Sequence, residues 1–378
     1  MTERKKRRIA VIFGGKSGEH EVSLASARSV MAALDQEAYE IVPIGITPTG
    51  RWITYGDPMA LLTAGQGDAP SALADRPAEG DLPAAVERAP GRELVPGASQ
   101  GRFPEVDVVF PVLHGTFGED GTVQGVFELA DLPYVGAGVL GSALGMDKVA
   151  QKQVLQAAGL PVVDYLAVLR SRWRREPGAV LAEVEARFAY PVFVKPANLG
   201  SSVGVSKAHD RCELLAGLDL AARFDRRLLV ERGIDAREIE CSVLGNDDPI
   251  ASVPGEVVPC REFYDYGAKY IDNASELLIP APLGEAATAR VQALAVAAFR
   301  AVDCAGMARV DFFLCRSTGE IYINELNTIP GFTQISMYPK LWAASGIPYP
   351  ELLDRLIALA IERYEDKHRS ETTYRFDH

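Results

Sequence analysis

The sequence predicts a mixed α/β and α+β protein with more than one domain, and three observations support this. The chain has 378 residues, which is too long for one simple core. Near its start, the β-rich run "RRIAVIFGG" ends in paired glycines and precedes a stretch with apolar residues at helical spacing. Near its end, "ARVDFFLCRSTGEIYINELNT" has the pattern of two strands joined by a turn.

The composition is that of an ordinary globular protein, with 48% hydrophobic and 24% charged residues. No apolar run reaches the ~18 residues of a membrane helix, so we expect no membrane partner. The net charge of −12 argues against a nucleic-acid partner, because such proteins present basic surfaces to phosphates. The basic run at residues 4–8 precedes too short an apolar stretch for a signal peptide.

The five cysteines are scattered and lack metal-ligand spacing. A reducing, cytoplasmic location is therefore expected.

The first domain, residues 1–137, is predicted to be a parallel sheet with helices on its faces. Its further strands are "YEIVPIGIT" and "VDVVFPVLHG", both of the buried type. Residues 65–102 are rich in Ala, Pro, Gly and charge, which predicts a surface insertion. Such sheets bind ligands at the carboxyl ends of their strands.

Two further lobes are predicted, at residues 138–230 and 231–378. The smaller begins with one helix over "SALGMDKVAQKQVLQAAGLP", stopped by Gly159 and Pro161, and continues through strands "VVDYLAVL", "PVFVKPA" and "LLVERGI". The larger runs from the strand "REIECSVLG" through the hairpin to a closing helix, "YPELLDRLIALAIERY".

The hairpin places polar residues where a core strand should be apolar. If "RSTGE" is the turn, Asp311 lies opposite Glu325, and Arg309 lies opposite Asn327. Alternation also places Ile321 and Ile323 on the Glu325 face. Two opposed carboxylates repel unless a cation lies between them or one takes a proton. Asp, Glu and Asn oxygens suit Mg²⁺, whereas the alternative is a polar network in which Arg309 pairs both acids.

A candidate phosphate loop follows the strand that carries Lys195. In "VKPANLGSSVGVSKA", small residues leave backbone N–H groups and two hydroxyls free to surround a phosphate. The alternative is an ordinary turn, since neither GxxxxGK[ST] nor GxGxxG is present. Lys148 and Lys269 are isolated, and a lone lysine is usually exposed to solvent.

Eight motifs in order resemble the D-alanine:D-alanine ligase family of the ATP-grasp superfamily. The resemblance spans about residues 8–360, and its motifs are "FGGKSGEHEVSLASA", "PVLHGTFGEDGTVQG", "MDK", "KPANLGSSVGVSK", "ERGIDAREIECSVLG", "FYDYGAKY", "RVDFF" and "NELNTIPGFTQISMYPKLW". It implies an ATP-grasp fold with an amino-terminal Rossmann-like (pre-ATP-grasp) domain. It also implies ATP-dependent joining of two D-alanines through an acyl phosphate, for peptidoglycan precursors.

The resemblance assigns residues to the nucleotide and metal. Two Mg²⁺ ions, or Mn²⁺ in their place, would be held by Asp311, Glu325 and Asn327. The residues implied for ATP are Lys148 and Lys195 at the α and β phosphates, Lys269 at the γ phosphate, Ser202 of the phosphate loop, Glu231 and its linker at the adenine, and Glu238 at the ribose.

The resemblance also assigns the substrate residues. Glu19 would bind the ammonium of the first D-alanine near His114, and Arg309 would stabilise the tetrahedral oxyanion. Ser201 and Tyr270 would close a lid with Glu19. Ser336 and the Met337 backbone would bind the carboxylate of the second D-alanine. Glu19 could instead begin a helix, His114 could simply pack in a loop, and Tyr270 could be an amphipathic contact.

Two alternatives to dipeptide synthesis remain open, and a third fails. The second substrate could be D-lactate or D-serine, although Tyr270 agrees with the dipeptide-forming branch of the family. A catalytically silent nucleotide-binding module would bind ATP without turnover. A dehydrogenase is disfavoured because the loop after Gly15 lacks the dinucleotide fingerprint. We expect a homodimer.

Overall fold

The computed structural model describes residues 6–54, 56–65, 105–200, 203–258 and 276–371, and these residues contain three β-sheets. The predicted insertion lies outside the described residues, apart from Gly65. Four of the predicted site residues also lie outside them: Ser201, Ser202, Lys269 and Tyr270.

The first sheet has the order β3-β2-β1-β4, and β1, β2 and β4 run parallel as predicted. The antiparallel edge strand β3 was not predicted. Apolar residues cover both faces of the sheet, so β1 is almost wholly buried. The elements are β1 (Arg7–Gly14), α1 (His20–Ala33), β2 (Tyr39–Ile46), β3 (Trp52–Ile53), α2 (Pro58–Thr63), β4 (Val108–Val112) and α3 (Thr122–Leu129).

Two helices, α4 (Val139–Met146) and α5 (Lys148–Ala157), replace the single helix predicted here, so that expectation is wrong. The break is at Asp147, whose extended backbone (φ −83°, ψ 99°) ends α4. Its Oδ1 accepts the N–H groups of Val149 and Ala150 at 3.0 and 2.9 Å, which caps α5. Asp147 thus fixes where α5 begins, and with it the position of Lys148.

The second sheet is antiparallel, with the order β5-β8-β6-β7. Its helices pack on one face around a compact apolar core that includes Trp173 and Val194. The elements are β5 (Tyr165–Leu169), α6 (Arg170–Arg175), α7 (Pro177–Arg187), β6 (Val192–Pro196), β7 (Ser206–Ala208), α8 (Arg211–Phe224) and β8 (Arg227–Arg232).

The third sheet has the order β12-β11-β9-β13-β14, with β10 added to β9. One face packs against α9, and α11 reaches across to the core of the first sheet. The elements are β9 (Ala236–Gly245), β10 (Ile250–Ala251), β11 (Gly255–Val258), β12 (Glu276–Leu278), α9 (Glu285–Ala301), β13 (Gly306–Cys315), β14 (Ile321–Asn327), α10 (Met337–Ala344) and α11 (Tyr349–Lys367).

The hairpin of β13 and β14 has the predicted register on one side of a β-bulge. Asp311 pairs with Glu325 and Arg309 with Asn327, as predicted. The register then shifts, so that Phe312 pairs with Ile323 and Asn324 is the extra residue.

The bulge overturns one expectation about the hairpin. Ile321 and Ile323 do not share the Glu325 face, because the extra residue reverses the alternation. Both pack instead against the core that contains Leu326. Asn324 and Glu325 consequently line the same cavity on the polar face.

None of the helices in the described ranges has the length and apolar character that a bilayer crossing requires.

Asp147→Ala should lower the free energy of unfolding by about 2 kcal/mol, since it removes the cap of α5 and the contacts with Arg227 and Asn198. Asp147→Asn keeps an oxygen for the cap and should cost roughly half as much. Urea denaturation followed by circular dichroism measures both. Equal losses for the two variants would contradict the capping role.

Candidate active site

Two cavities meet on the polar face of the third sheet. The interlobe cavity, about 580 Å³, lies between the second and third sheets and is lined by residues such as Lys195, Glu231 and Glu238. The outer cavity, about 600 Å³, lies between the third sheet and the first domain and is lined by Glu19 and Ser336 among others. The residues common to both linings are Lys148, Gly200, Glu240, Val257 and Glu325.

Three carboxylates cross the sheet side by side where the cavities meet. Asp311 on β13 pairs in register with Glu240 on β9 and with Glu325 on β14. We call these three residues the acidic row. Like charges at directly opposed positions repel, so the row needs cations beside it. Glu240 was not predicted, although its spacing of two from Glu238 in "REIE" places both on one face.

Arg309 and Lys148 supply those cations. Arg309 donates Nε and one terminal nitrogen to the two oxygens of Asp311, both at 2.7 Å, and its Nε lies 3.0 Å from Glu240. Lys148 Nζ lies 3.1 Å from Glu325. Asn327 donates Nδ2 to Asp311 at 3.0 Å. Arg309 therefore pairs Asp311 with Glu240, while Glu325 pairs with a lysine from α5.

Donors on and beside the acidic row fit a divalent metal by their chemistry. Among the residues that the structure describes, no three His, Cys, Asp or Glu side chains are arranged as a metal site. Asp311, Glu325 and Asn327 nevertheless offer the oxygen donors that hard cations prefer, on one sheet face at the junction of the cavities. A bound cation would take over the charge balance that Arg309 and Lys148 now provide.

A buried Lys–Glu–Lys triad lies beside the interlobe cavity. Glu231 Oε1 lies 2.6 Å from Lys152 Nζ, and its Oε2 lies 2.5 Å from Lys195 Nζ. Burial raises the pKa of Glu231, but the two lysines outweigh this and lower the pKa to about 2. Glu231 is therefore ionised at neutral pH. The sequence analysis missed Lys152, which follows Lys148 by one helical turn.

Glu19 lies between Gly115 and Gly200, whose lack of a side chain leaves room for its carboxylate. A Cβ atom on Gly115 or on Gly200 would lie 2.8 or 2.7 Å from Glu19 Oε2, closer than real contacts allow. Glu19 occupies the N-cap position of α1, but its side chain makes no capping hydrogen bond. Its carboxylate lines the outer cavity next to Gly200.

His114 is buried and neutral at the outer cavity. Its Nδ1 donates to the Ile329 carbonyl at 3.0 Å, and Ser26 Oγ donates to Nε2 at 3.3 Å. Burial lowers the pKa of His114, partly offset by Glu19. The imidazole therefore joins the loop after β14 to α1.

Glu119 is a second acid near Glu19, which the sequence analysis missed although it stands in "HGTFGED". It lines the outer cavity and accepts the Gly115 N–H at 2.8 Å. Removal from water and the nearby charge of Glu19 raise its pKa to about 8. Glu119 therefore carries a proton at neutral pH, which limits the repulsion between the two acids.

Ser336 and Met337 begin α10 beside the outer cavity. Ser336 is the N-cap residue, and its Oγ accepts the Thr333 N–H at 3.1 Å. The first N–H groups of a helix have no intrahelical partner and favour an anion. The start of α10 could therefore bind a carboxylate.

The structure thus brings together on one connected surface every predicted site residue that it describes. Six line the interlobe cavity: Lys148, Lys195, Glu231, Glu238, Asp311 and Glu325. The other six lie around the outer cavity: Glu19, His114, Arg309, Asn327, Ser336 and Met337.

Comparison with known proteins agrees with this architecture. The families described as D-ala D-ala ligase N-terminus and D-ala D-ala ligase C-terminus match residues 8–137 and 154–358. The D-alanine–D-alanine ligase of Heliobacterium modesticaldum is 54% identical, over 97% of this chain and 98% of that protein.

Two solved structures are also similar. The D-alanine–D-alanine ligase from Coxiella burnetii has a TM-score of 0.78 and 38% identity, covering 97% of each chain. The VanG D-Ala:D-Ser ligase from Enterococcus faecalis has a TM-score of 0.78 and 37% identity, covering 94% of this chain and 100% of that chain.

The three sheets and the cavity between the last two define an ATP-grasp enzyme with an additional amino-terminal α/β domain. With family matches over most of its length, the chain belongs to the D-alanine–D-alanine ligase family. That family is ATP-dependent and uses a divalent metal.

Glu119→Gln should change how stability depends on pH. A carboxyl whose pKa is raised on folding contributes stability that is fully present below its unfolded pKa and is lost as pH rises to about 8. The glutamine side chain of the variant would not ionise. The free energy of unfolding of the variant minus that of the unmodified protein should therefore rise between pH 5 and pH 8, by less than ~1.4 kcal/mol per pH unit. Denaturation at several pH values measures this, and a difference that does not vary with pH would contradict the raised pKa.

Proposed function

We propose that the protein joins two D-alanines to D-alanyl-D-alanine, with ATP converted to ADP and phosphate. The observation that carries the proposal is the meeting of the two cavities at Lys148 and Glu325. A nucleotide in the interlobe cavity and amino acids in the outer cavity would meet there, beside the acidic row. Membership of the ligase family supports the same reaction.

The nucleotide would lie between units 138–230 and 231–378. Lys148 and Lys195 would bind the α and β phosphates, and Lys269 the γ phosphate. Glu238 would bind the ribose, and Glu231 with the backbone after it the adenine. Ser202 would complete the phosphate loop. Lysines suit this role because each adds a point charge against the phosphate oxygens.

Asp311, Glu325 and Asn327 would hold two Mg²⁺ ions, or Mn²⁺. When bound, these ions would offset the charge of the nucleotide phosphates during phosphoryl transfer. Arg309 would then release Asp311 and donate to the substrates. Its Nε would stay paired with Glu240, which lies 3.0 Å away.

The first D-alanine would bind in the outer cavity with its ammonium on Glu19, close to His114. Its carboxylate would attack the γ phosphorus of ATP, giving an acyl phosphate and ADP. The carboxylate alone is a poor electrophile, and the acyl phosphate provides a leaving group. Ser201 and Tyr270 would close over the site with Glu19 and exclude water.

The second D-alanine would bind with its carboxylate on Ser336 and the N–H of Met337, at the start of α10. Its amine would attack the acyl carbon after losing a proton. Arg309 would donate to the tetrahedral oxyanion until phosphate departs. The dipeptide suits a role in peptidoglycan precursor synthesis.

The purified protein should release one phosphate for each dipeptide formed, and only when D-alanine, ATP and Mg²⁺ are all present. Asp311→Asn should reduce turnover about 100-fold or more, because it removes a charge from the acidic row. Asp366→Asn, at an exposed position on α11, is the matched control and should keep full turnover. A folded protein that binds ATP but releases no phosphate would support a silent nucleotide-binding module instead.

The same assay distinguishes the second substrates when D-alanine competes with D-lactate and D-serine and the products are separated by mass. We expect D-alanyl-D-alanine to predominate at neutral and higher pH. The share of product formed through the hydroxyl of D-lactate should rise only at lower pH, where the competing amines are protonated. Predominance of the D-lactate or D-serine product at pH 8 would contradict the assignment.

We further propose that the protein is a cytoplasmic homodimer without nucleic-acid or membrane partners. Helices α3 and α4 expose the apolar side chains of Val126, Leu129, Val139 and Leu140, and Leu129 is 92% exposed. A second copy would remove this surface from water. Leu129→Glu should shift sedimentation from dimer to monomer. A monomeric unmodified protein would contradict the proposal.

A further inference from the structure

Lys152 is a buried charge that the proposed chemistry does not use. Its side chain is 2% exposed, and a lysine this buried is uncommon unless paired. It does not line the interlobe cavity, whereas Lys195, Glu231 and Asn324 do. Any influence of Lys152 on a bound nucleotide must therefore pass through these neighbours.

The contacts of Lys152 connect three elements. Its Nζ lies 2.6 Å from Glu231 Oε1 on β8 and 3.4 Å from the Asn324 carbonyl on β14. Lys195 from β6 reaches Oε2 of the same carboxylate and also the Asn324 side chain. Each lysine thus has its own oxygen of Glu231, and both are held against the bulge of β14.

The charges in this triad determine what the cavity presents to a ligand. Burial lowers the pKa of Lys152, and the charge of Glu231 opposes this shift. With both lysines and the glutamate charged, the triad carries one net positive charge, and Lys195 is the lysine that lines the cavity. Without Lys152, Glu231 would face Lys195 alone, and the net charge would be zero. In a site removed from water, such a change is felt strongly because little solvent screens it.

We propose that Lys152 is a positioning residue that keeps the interlobe cavity attractive to phosphate by occupying one oxygen of Glu231. Lys195 is then only half neutralised and can bind the nucleotide. The inference rests on the proposed function, in which Lys195 contacts the phosphates. A purely structural role would stabilise the fold without distinguishing a nucleotide that has phosphates from one that lacks them.

Isothermal titration with ADP and with adenosine, each with Mg²⁺, tests the proposal. The dissociation constant of adenosine divided by that of ADP measures the phosphate-dependent part of binding, and we call this quotient the ratio. Lys152→Met should weaken ADP binding about tenfold and leave adenosine binding unchanged. Equal weakening of both ligands, or an unchanged ratio, would overturn the proposal. Lys367→Met removes an exposed lysine on α11 and is the control for charge loss alone.

A second variant restores the charge count. In Lys152→Met with Glu231→Gln, Lys195 again contributes one unopposed positive charge, so the ratio should return toward that of the unmodified protein. A ratio that stays low would overturn the charge explanation. Because this double variant also removes the carboxylate charge that Lys152→Met leaves without its second lysine, it tests the proposal even if Lys152→Met alone does not fold.

Lys152→Arg retains the charge and should keep the ratio. A ratio as low as that of Lys152→Met would overturn the proposal. An unmodified protein that binds ADP no better than adenosine would contradict the phosphate role of Lys195, and hence the proposed function itself. If only Lys152→Met loses the preference for ADP over adenosine, the result agrees with the proposed function and with the role of Lys152.

Discussion

Repulsion within the acidic row is the constraint on which the rest of the site depends. Glu240, Asp311 and Glu325 occupy directly opposed positions on three neighbouring strands. Such an arrangement folds only if cations come from elsewhere in the chain. Arg309 comes from within the sheet and Lys148 from α5, so the charge balance joins the third sheet to the helix that leads into the second.

Helix α5 supplies a lysine to each of two acidic groups at the interlobe cavity. Its first residue, Lys148, reaches the acidic row, and Lys152 one turn later reaches Glu231. The carboxylate of Asp147 caps this helix and binds Arg227 at the start of β8. The break between α4 and α5 therefore fixes the positions of Lys148, Lys152 and β8 relative to one another. Buried ion pairs add little net stability, but they strongly favour one geometry.

Two buried carboxyl groups, Glu231 and Glu119, have different charge states at neutral pH because their surroundings differ. Glu231 is ionised because two lysines outweigh its burial, whereas Glu119 is protonated because it lies beside Glu19 with little access to water. The first holds two lysines beside the interlobe cavity. The second, being neutral, adds no negative charge beside Glu19. Both follow from the same competition between burial and neighbouring charge.

The sequence by itself determined the parallel strands of the first sheet, strands β5, β6, β8, β9, β13 and β14 of the other two sheets, and the opposition of Asp311 to Glu325. These depend on apolar periodicity and on a turn of known length, which are local properties. Only the tertiary structure decided the break at Asp147, the bulge at Asn324, and the partners Glu240, Lys152 and Glu119. The bulge and the charge partners depend on contacts between residues far apart in the chain, and the local cap at Asp147 is held in place by the distant residues Arg227 and Asn198. Lys148 pairs with Glu325 for the same reason, because these two residues are far apart in the chain and charge pairing acts through space.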